Sequence, residues 1–401
     1  MNGEAIAKGT LGRWLARRTM AAWFVGASVS GCADDLTPTT TPLDAGAADV
    51  DAAKVADAGL NLDSGAPPSD ASVQDATIVT SDAATTPDAA SADAAWATLP
   101  ATTEGMVGAG LSDCGPTGSD SCAKSVLVPG GSYGVQGDVA TTATLSPYRL
   151  DAYEVTVARF RKFFDAWVAG WRPAPGSGKH VHLHGGQGLA LRPSGFEPGW
   201  DSAWSAWVGT PNGASAPAST LVRDDWNAAA ACSGVTGASY ASWTASSGAH
   251  EAWPMNCVSW IEAHAFCIWD GGFLPSELEW EYAAFGGSEL RRYPWGADDP
   301  DATRALFATN SLTNVGTKPA GNGRWSHADL AGSVREWVFD VRDPLPVSAC
   351  TNCAAGGTNG EHAIRSSMFR VAAPLPESAL RSGAYTYQRG YATGLRCART
   401  P

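Results

Sequence analysis

The chain is poor in basic residues, and this scarcity limits the partners it can have. It carries 27 lysines and arginines against 40 aspartates and glutamates, which gives a formal net charge of −13 at pH 7. A nucleic-acid-binding domain needs a basic patch or stripe to meet the phosphate backbone, and the sequence contains no such stripe. We therefore expect no nucleic-acid partner.

Large apolar side chains are nearly absent between residues 33 and 97, where most of the acidity lies. This stretch holds twelve Asp and one Lys, a net charge of −11. A segment with so little apolar surface to bury cannot offset the entropy lost on ordering. We predict a disordered Ala/Asp/Thr/Pro-rich tether over residues 33–101, and we read the acidity as that of a spacer rather than of a ligand-binding surface.

The first 32 residues have the features of an export signal. Four basic residues precede a short apolar stretch, residues 20–30, and Val29-Ser30-Gly31-Cys32 has the small-residue pattern of a bacterial lipobox. Lipidation of Cys32 would follow, and the apolar stretch is too short to span a bilayer comfortably. We predict an exported lipoprotein of the cell envelope, at the outer membrane or cell surface, that touches the membrane only through its lipid anchor. An ordinary signal peptide or an inner-membrane anchor is the alternative.

Nine cysteines become eight once Cys32 is lipidated, and an even number in an exported chain favours disulfides over metal thiolates. Spacing suggests Cys114–Cys122 and Cys350–Cys353 as local pairs. The second pair also has the C-x-x-C pattern of redox sites, but no helix start follows that would lower a thiol pKa, so a structural bridge is favoured. The remaining cysteines of the eight are Cys232, Cys257, Cys267 and Cys397.

Three helices are predicted in the globular part of the chain, residues 102–401, which is rich in Gly and Trp. The first follows Thr156 and carries an apolar stripe. The second and third follow Ser259 and Ser276, each with a glutamate three residues on, which is the pattern of a capping box. A glycine pair ends each of these two. Loops as long as residues 173–252 are uncommon without cross-links or ions, so we predict an irregular, loop-rich α+β fold held by disulfides.

Histidines alternate in the segment His180-Val-His182-Leu-His184. On an extended strand the three imidazoles would share one face, as a transition-metal site requires. Short alternation in a glycine-flanked loop is more often a solvated segment, which we favour over a metal site. His264 falls inside the second predicted helix, where we expect a packed core histidine rather than a catalytic base.

Six segments, in this order, resemble the formylglycine-generating enzymes, also called sulfatase-modifying factors. They are LVPGGSY at 127–133, YRLDAYEVT at 148–156, PMNCVSW at 254–260, GFLPSELEWEYAAFGGSELRRYPWG at 272–296, ADLAGSVREW at 328–337 and GLRCA at 394–398. The resemblance implies a sulfatase-modifying-factor fold of the C-type-lectin-like superfamily over residues 102–401. It also implies a disulfide between Cys267 and Cys397.

The chemistry of that family depends on residues that this chain lacks. Its formylglycine-forming members oxidise a sulfatase cysteine with dioxygen, and two cysteines just after an R-G-G-S-W/F strand hold their copper(I). Copper(I) is soft and needs thiolate. The counterpart strand here is AIRSSMF, residues 363–369, and no cysteine lies between Cys353 and Cys397. We expect no copper and no catalytic residue for formylglycine formation.

Two functions remain open on this resemblance. The first, which we favour, is a surface binding or interaction module for a glycan or protein ligand. The alternative is an oxidoreductase of the same family with altered metal or substrate chemistry.

The resemblance also implies a calcium loop at Asp329-x-x-Gly332-x-Val334-x-Glu336. In that loop two side-chain oxygens and two backbone carbonyls bind the ion, and hard oxygen donors of this kind suit Ca²⁺. The alternative is a plain turn before a strand, with Glu336 paired to an arginine.

Overall fold

The computed structural model describes most of the chain from residue 103 onward. The described ranges are 103–210, 232, 240–342, 344–345, 348–356, 360–372 and 378–401. The predicted export signal with Cys32 and the predicted tether lie outside the described residues. Within the described ranges, no helix has both the length and the apolar character to cross a membrane.

The three predicted helices are confirmed. They are α1 (Val157–Val168), α2 (Trp260–Trp269) and α3 (Glu277–Phe285). At the start of α1 the Thr156 hydroxyl accepts a hydrogen bond from the Arg159 backbone N–H at 3.3 Å. Both helices α2 and α3 begin with a complete capping box. Gly286 ends α3 at φ +66°, a left-handed conformation that glycine adopts without steric cost.

Short strands make up the rest of the regular structure. The strands of the described ranges are β1 (Ser125–Val128), β2 (Gly131–Gly134), β3 (Thr142–Leu145), β4 (Tyr148–Asp151), β5 (Ala190–Arg192), β6 (Arg335–Val341), β7 (Cys350–Thr351), β8 (Cys353–Ala355), β9 (Glu361–Arg365), β10 (Arg381–Tyr385), β11 (Thr393–Gly394) and β12 (Ala398–Arg399). They form four small sheets with the strand orders β1-β4-β12, β10-β9-β6-β11, β2-β3-β7 and β5-β8. The fold is α+β and loop-rich, as the sequence predicts.

An aromatic core joins α1 and α2 to the β6 sheet. Phe160 of α1 stacks on Phe266 of α2 with ring centroids 5.5 Å apart. Trp337 of β6 is fully buried, and its indole N–H donates to the Val258 carbonyl at 2.9 Å. Each such buried aromatic side chain contributes on the order of 2–3 kcal/mol through lost contact with water. Trp260, Trp280 and Trp337, which lie in the segments that resemble the family, are all buried and therefore serve packing.

Two aspartates and two arginines form a buried ion-pair cluster beside this core. Arg159 of α1 lies 3.0 Å from Asp151 at the end of β4 and 2.5 Å from Asp270 after α2. Arg399 of β12 pairs with the same two aspartates. Removing one member would leave an uncompensated charge away from water, at a cost of about 3–5 kcal/mol. The cluster therefore fixes how α1, α2 and the β1-β4-β12 sheet meet.

Four disulfides account for the eight cysteines outside the predicted signal. They are Cys114–Cys122, Cys232–Cys257, Cys267–Cys397 and Cys350–Cys353. The two predicted local pairs and the pair implied by the family resemblance are confirmed. Cys350 and Cys353 lie on β7 and β8 rather than at a helix N-terminus, which agrees with a structural bridge.

Candidate functional site

The segment of alternating histidines is not a strand. A turn leads into a short 3₁₀ helix, His184–Gly186, so the two-residue period does not bring the imidazoles to one face. His184 Nδ1 lies 2.7 Å from the Gly188 carbonyl, and the His182 ring stacks on Phe273 with centroids 5.8 Å apart. The segment is therefore not an extended strand, and the His180, His182 and His184 side chains do not converge on one metal position.

His180 is instead a buried cation between two carboxylates. Its Nδ1 lies 2.9 Å from Glu197 Oε2, and its Nε2 lies 3.0 Å from Glu279 Oε2 in α3. Burial alone would lower the pKa of His180, but the charges of and hydrogen bonds to Glu197 and Glu279 outweigh it and raise this pKa to about 10. Both ring nitrogens are used in this pairing, so neither is left to bind a metal.

His264 is confirmed as a packed core histidine. It is fully buried in α2, and its ring stacks on Trp260 at 5.1 Å and on Trp200 at 5.7 Å. Burial lowers its pKa to about 3, so the ring is neutral at physiological pH.

Three buried carboxylates surround the predicted calcium loop. Asp329 accepts a hydrogen bond from the Gly316 backbone N–H at 2.6 Å. Glu154 accepts from the Val334 N–H at 3.1 Å and from the Ser333 hydroxyl at 3.0 Å. Burial raises the pKa of Asp329, and burial together with the charges of Asp329 and Glu336 raises the pKa of Glu154.

Glu336 shows the arginine pairing expected as the alternative to calcium. Its two oxygens accept from Arg396 Nε and Nη2, each at 2.7 Å, and the Trp280 indole N–H donates to Oε2 at 2.7 Å. One arginine thus faces three carboxyl groups, those of Glu154, Asp329 and Glu336, and the pKa values of the first two are raised. Oxygen donors from Asp329, Glu336 and the carbonyls of Gly332 and Val334 are the kind that a hard cation such as Ca²⁺ prefers. Such a cation would have to share the Glu336 carboxylate with Arg396. The calcium site stays a prediction.

The strand that corresponds to the copper-site strand is β9, and the chain after it turns sharply. Ser366 has φ +70°, and the Ser367 hydroxyl accepts from the Gly332 N–H at 3.0 Å. The Phe369 N–H donates to the Ser333 carbonyl at 2.7 Å. These bonds anchor the turn to the calcium-loop segment and place Phe369 in the lining of an open cleft, with Arg370 next to it in the chain.

We call this open cleft the Tyr240 cleft. Its volume is about 190 Å³. Its principal lining residues are Tyr240, His250, Trp253, Asn310, Ser311 and Phe369. Aromatic rings form its walls, and the exposed Asn310 and Ser311 supply amide and hydroxyl groups at its rim.

The Asn256 side chain holds one wall of the Tyr240 cleft in place. Its amide nitrogen donates to the carbonyls of Tyr240 at 2.8 Å and Tyr391 at 2.6 Å, and its oxygen accepts from the Ser242 N–H at 2.8 Å. The His250 ring stacks on Trp253 with centroids 3.7 Å apart. Because Asn256 is fully buried, these bonds fix the position of Tyr240 before any ligand arrives.

Arg370 places a positive charge at this aromatic wall. Its guanidinium carbon lies 4.4 Å from the Tyr240 ring centroid and 5.8 Å from that of Tyr391, which is the range of a cation–π contact. Within the described residues no carboxylate forms an ion pair with Arg370. The cleft therefore offers aromatic walls and neutral hydrogen-bonding groups, and one cation contacts its Tyr240 wall.

Sequence reasoning missed the Tyr240 cleft. Tyr240, Asn310 and Arg370 come from three separate segments, and no spacing along the chain links them. The sequence held one signal, because Phe369 ends the segment 363–369 that was identified as the counterpart of the copper-site strand, and Arg370 follows it.

Thiolates are absent from the described part of the cleft and of the domain. All eight cysteines of the described residues are held in disulfides. Among these residues only Asp113, Cys114 and Cys122 bring three potential ligand atoms of His, Cys, Asp or Glu side chains within 4.8 Å of one another. Two of those atoms are the sulfurs of the Cys114–Cys122 disulfide, so this group is no metal centre either.

Comparison with known proteins finds one family match that covers most of the chain. Residues 112–401 match the model of the sulfatase-modifying factor enzyme 1-like domain. The formylglycine-generating enzyme of Thermomonospora curvata is 26% identical over 323 residues, which cover 69% of this chain and 93% of that protein.

Shorter matches reach proteins with other properties. The hercynine oxygenase of Mycobacterium tuberculosis is 37% identical over 98 residues, 23% of this chain and 23% of that protein. The inactive C-alpha-formylglycine-generating enzyme 2 of Mus musculus is 35% identical over 103 residues, 23% of this chain and 33% of that protein. The match thus spans about a quarter of the oxygenase and a third of the inactive protein.

Proposed function

Because the chain belongs to the sulfatase-modifying factor enzyme 1-like family, we propose that it uses the family fold as an exported binding module and does not make formylglycine. The observation that carries this proposal is the Tyr240 cleft, which is lined by aromatic rings, has the Arg370 guanidinium against its Tyr240 wall and has no thiolate among its lining residues. A similar protein, the inactive mouse protein named above, bears a name that says it has lost the activity. Loss of chemistry on this fold therefore has a precedent among its relatives.

The ligand that best suits the cleft is a glycan with an acidic group. The apolar face of a sugar ring would pack against the aromatic walls of the cleft, while its hydroxyls match the amide and hydroxyl of Asn310 and Ser311. A carboxylate or sulfate on the sugar would pair with Arg370, whose planar guanidinium matches such anions in a bidentate way. Because this arginine has no carboxylate partner within the described residues, an acidic ligand would not have to break an existing ion pair.

Binding should be measured on a glycan array with the purified domain, followed by titration of the best acidic glycan. We expect Tyr240→Ala to weaken binding at least about tenfold, as loss of a central aromatic contact does. Tyr385→Ala is the matched control, because Tyr385 is 54% exposed and does not line the cleft. Arg370→Gln should weaken the acidic glycan more than its neutral analogue. Equal loss with Tyr240→Ala and Tyr385→Ala would refute the cleft as the binding site.

The absence of formylglycine formation is tested directly. The domain is incubated with copper, dioxygen and a cysteine-containing sulfatase peptide, and the mass of the peptide is then measured by mass spectrometry. A parallel reaction with a formylglycine-generating enzyme is the positive control. We expect no aldehyde product above the level without protein. Conversion at the rate of the positive control would overturn the proposal, because it would require a thiolate pair that the described cysteines do not supply.

Export and lipid anchoring are part of the same proposal. The lipobox at Cys32 and the acidic stretch that follows support a surface lipoprotein whose domain stands off the membrane on a tether. Replacing Cys32 with Ser should move the protein from the detergent phase to the aqueous phase in a Triton X-114 partition. If the unsubstituted protein partitions into the aqueous phase, the lipid anchor is excluded.

An oxidoreductase with altered chemistry is the second candidate, and the similarity to an oxygenase favours it. In that case a metal would have to bind with residues other than the three histidines first considered. Metal analysis of the domain purified without chelator distinguishes the candidates. Stoichiometric iron or copper that survives dialysis would favour the enzyme, and a metal content below about a tenth of an equivalent would favour the binding module.

A further inference from the structure

Two arginines differ from the others in the described part of the chain. Each of the others pairs with a carboxylate or donates to a backbone carbonyl oxygen. Arg335 and Arg370 do neither within the described residues, and both lie near Tyr391. The Arg370 guanidinium carbon is 5.8 Å from the Tyr391 ring centroid, and Arg335 interacts electrostatically with the Tyr391 side chain. Two positive charges without a counter-charge are thus gathered at one tyrosine.

Arg335 has an open hydrogen-bonding edge. It is the first residue of β6 and is partly exposed. Its Nε is buried and has no partner among the described residues. Its Nη1 makes no hydrogen bond with these residues either, but Nη1 is not buried. A ligand in solvent can therefore reach Nη1 of Arg335.

Thr393 and Gly390 hold this edge in place and leave room beside it. β11, at the end of the β6 sheet, places Thr393 opposite Arg335, and the Thr393 hydroxyl oxygen lies 3.5 Å from Nη2. A Cβ atom at Gly390 would lie 2.6 Å from that hydroxyl oxygen and 3.8 Å from Nη2. A larger residue at position 390 would therefore crowd the hydroxyl and cover part of the guanidinium. Close approach of the backbone to a ligand is one use of glycine.

The charge of Arg335 is poorly compensated where it lies. Burial lowers the pKa of Arg335, because the charged form loses hydration, yet an arginine stays charged at neutral pH. An anion at Nη1 would supply both a hydrogen bond and a counter-charge. Such charge-assisted hydrogen bonds are about twice as strong as neutral ones.

The presence of two such arginines restricts the ligand further. A ligand with one acidic group can neutralise Arg370 and would leave Arg335 without a counter-charge. Acidic groups on successive sugars would neutralise both. Because Tyr391 packs against Tyr240, with ring centroids 5.5 Å apart, Arg335 lies beside the Tyr240 cleft rather than on a distant surface.

We propose that Arg335 forms a second anion subsite beside the Tyr240 cleft, so that the ligand is a polysaccharide with an acidic group on successive sugars. This inference rests on the proposed function, since it takes the Tyr240 cleft to bind a glycan. Arg335 does not line that cleft, so variants of Tyr240 and of Arg335 test the cleft and the subsite separately.

The test compares dextran sulfate, which is acidic along its whole length, with glucose 6-sulfate, which carries one acidic group, and with neutral dextran. Isothermal titration calorimetry of the purified protein at pH 7 gives each Kd. We expect Arg335→Gln to weaken dextran sulfate at least about tenfold and glucose 6-sulfate by less than about twofold. Arg342→Gln is the matched control, because it removes the same charge from an exposed arginine that pairs with Glu361 at 3.0 Å. It should change neither Kd.

The salt dependence gives a readout that a merely structural role of Arg335 would not move. Each cation that contacts a polyanion releases counterions, so the slope of log K against log salt concentration should become shallower by about 1 in Arg335→Gln. Arg335→Lys keeps the charge and should keep the slope. An unchanged slope in Arg335→Gln would overturn the proposal, as would an equal loss of slope in Arg335→Lys.

Two further variants keep the test decisive. Arg335→Met keeps the aliphatic stem and removes the charge, so it replaces Arg335→Gln if that variant does not fold, with the same expected losses. Tyr240→Ala tests the cleft alone. Weaker dextran sulfate binding in Tyr240→Ala but not in the Arg335 variants would retain the cleft and overturn the subsite. Dextran sulfate binding that is unchanged in all of them would refute both.

Discussion

Replacing His180 with Gln should strongly destabilise the domain, because it removes the positive charge between two buried glutamates. His180 and Glu197 have fully buried side chains, and that of Glu279 is 3% exposed. Burial would raise the pKa of Glu279, but the charge and hydrogen bond of His180 lower it, so this glutamate is ionised in the folded protein. A glutamine can donate to one carboxylate but neutralises neither.

The size of the effect follows from the pKa of His180. This pKa is about 10 in the folded protein and 6.5 in the ordinary unfolded chain. At 1.36 kcal/mol for each pKa unit, the difference corresponds to roughly 5 kcal/mol of stabilisation as an upper value. The measured cost of removing one partner from a buried ion pair, about 3–5 kcal/mol, agrees with this. We expect His180→Gln to lose at least about 3 kcal/mol of unfolding free energy at pH 6.

The stabilisation that His180 contributes depends on pH in a definite direction. Because the folded pKa of His180 is raised, its stabilisation is fully present below pH 6.5 and is lost as the pH rises toward 10. This one group should therefore lower the unfolding free energy by up to about 1.4 kcal/mol per pH unit in that window. The stabilisation is not lost on mild acidification between pH 6.5 and pH 5.

Urea unfolding with the disulfides intact, at pH 6 and pH 8.5, measures both effects, and NMR titration of the imidazole proton measures the pKa itself. His182→Gln is the matched control and should cost less than about 1 kcal/mol, because the His182 ring nitrogens have no hydrogen-bond partner among the described residues. An imidazole signal of His180 that titrates near pH 6.5 would refute the reasoning. So would a His180→Gln protein as stable as the control.

Three further predictions concern the scaffold. Excess chelator should lower the melting temperature of the domain if calcium is bound at the predicted loop, and Asp329→Ala should abolish this sensitivity; identical melting curves with and without chelator would remove the calcium assignment. Replacing Cys267 and Cys397 with Ala should cost about 5 kcal/mol in urea unfolding, because their bridge closes a loop of 130 residues; a loss under 1 kcal/mol would contradict the chain-entropy argument. Ser276→Ala should cost about 1 kcal/mol whereas Ser276→Thr, which keeps the capping oxygen, should cost less, and equal losses would show that the cap is not the cause.

Local signals in the sequence were sufficient for the helices and for part of the covalent framework. Ser259 and Ser276 each lie three residues before their capping glutamates, so the stabilising contacts are short-range and visible in the sequence. Cys114 and Cys122 are close enough along the chain to suggest pairing. The Cys267–Cys397 bridge came only from the family resemblance, because spacing does not select one partner among distant cysteines.

The surroundings of His180 and the Tyr240 cleft could not be predicted, because both depend on contacts between segments that are far apart in the chain. The alternation at His180 suggested a strand, but the partners of His180 are Glu197 and Glu279, which lie 17 and 99 residues away. Both imidazole nitrogens of His180 contact carboxylates from distant segments, and these contacts, rather than strand pairing, hold the residue in place. The Tyr240 cleft also depends on distant segments, since the Asn256 side chain binds the Tyr240 carbonyl from another segment and Arg370 contacts the Tyr240 ring from a third.

One oxygen atom, Glu279 Oε2, has two tasks in this fold. It accepts the Ser276 backbone N–H at 2.7 Å to cap α3, and it lies 3.0 Å from the imidazole of His180. The irregular stretch around His180 is thereby attached to the start of a helix. Anyone who shortens this stretch to obtain a minimal domain would also weaken the cap of α3. Ser276→Ala acts through a different bond, because it removes the hydroxyl that accepts from the Glu279 backbone N–H at 3.1 Å and keeps the backbone N–H that donates to the Glu279 carboxylate.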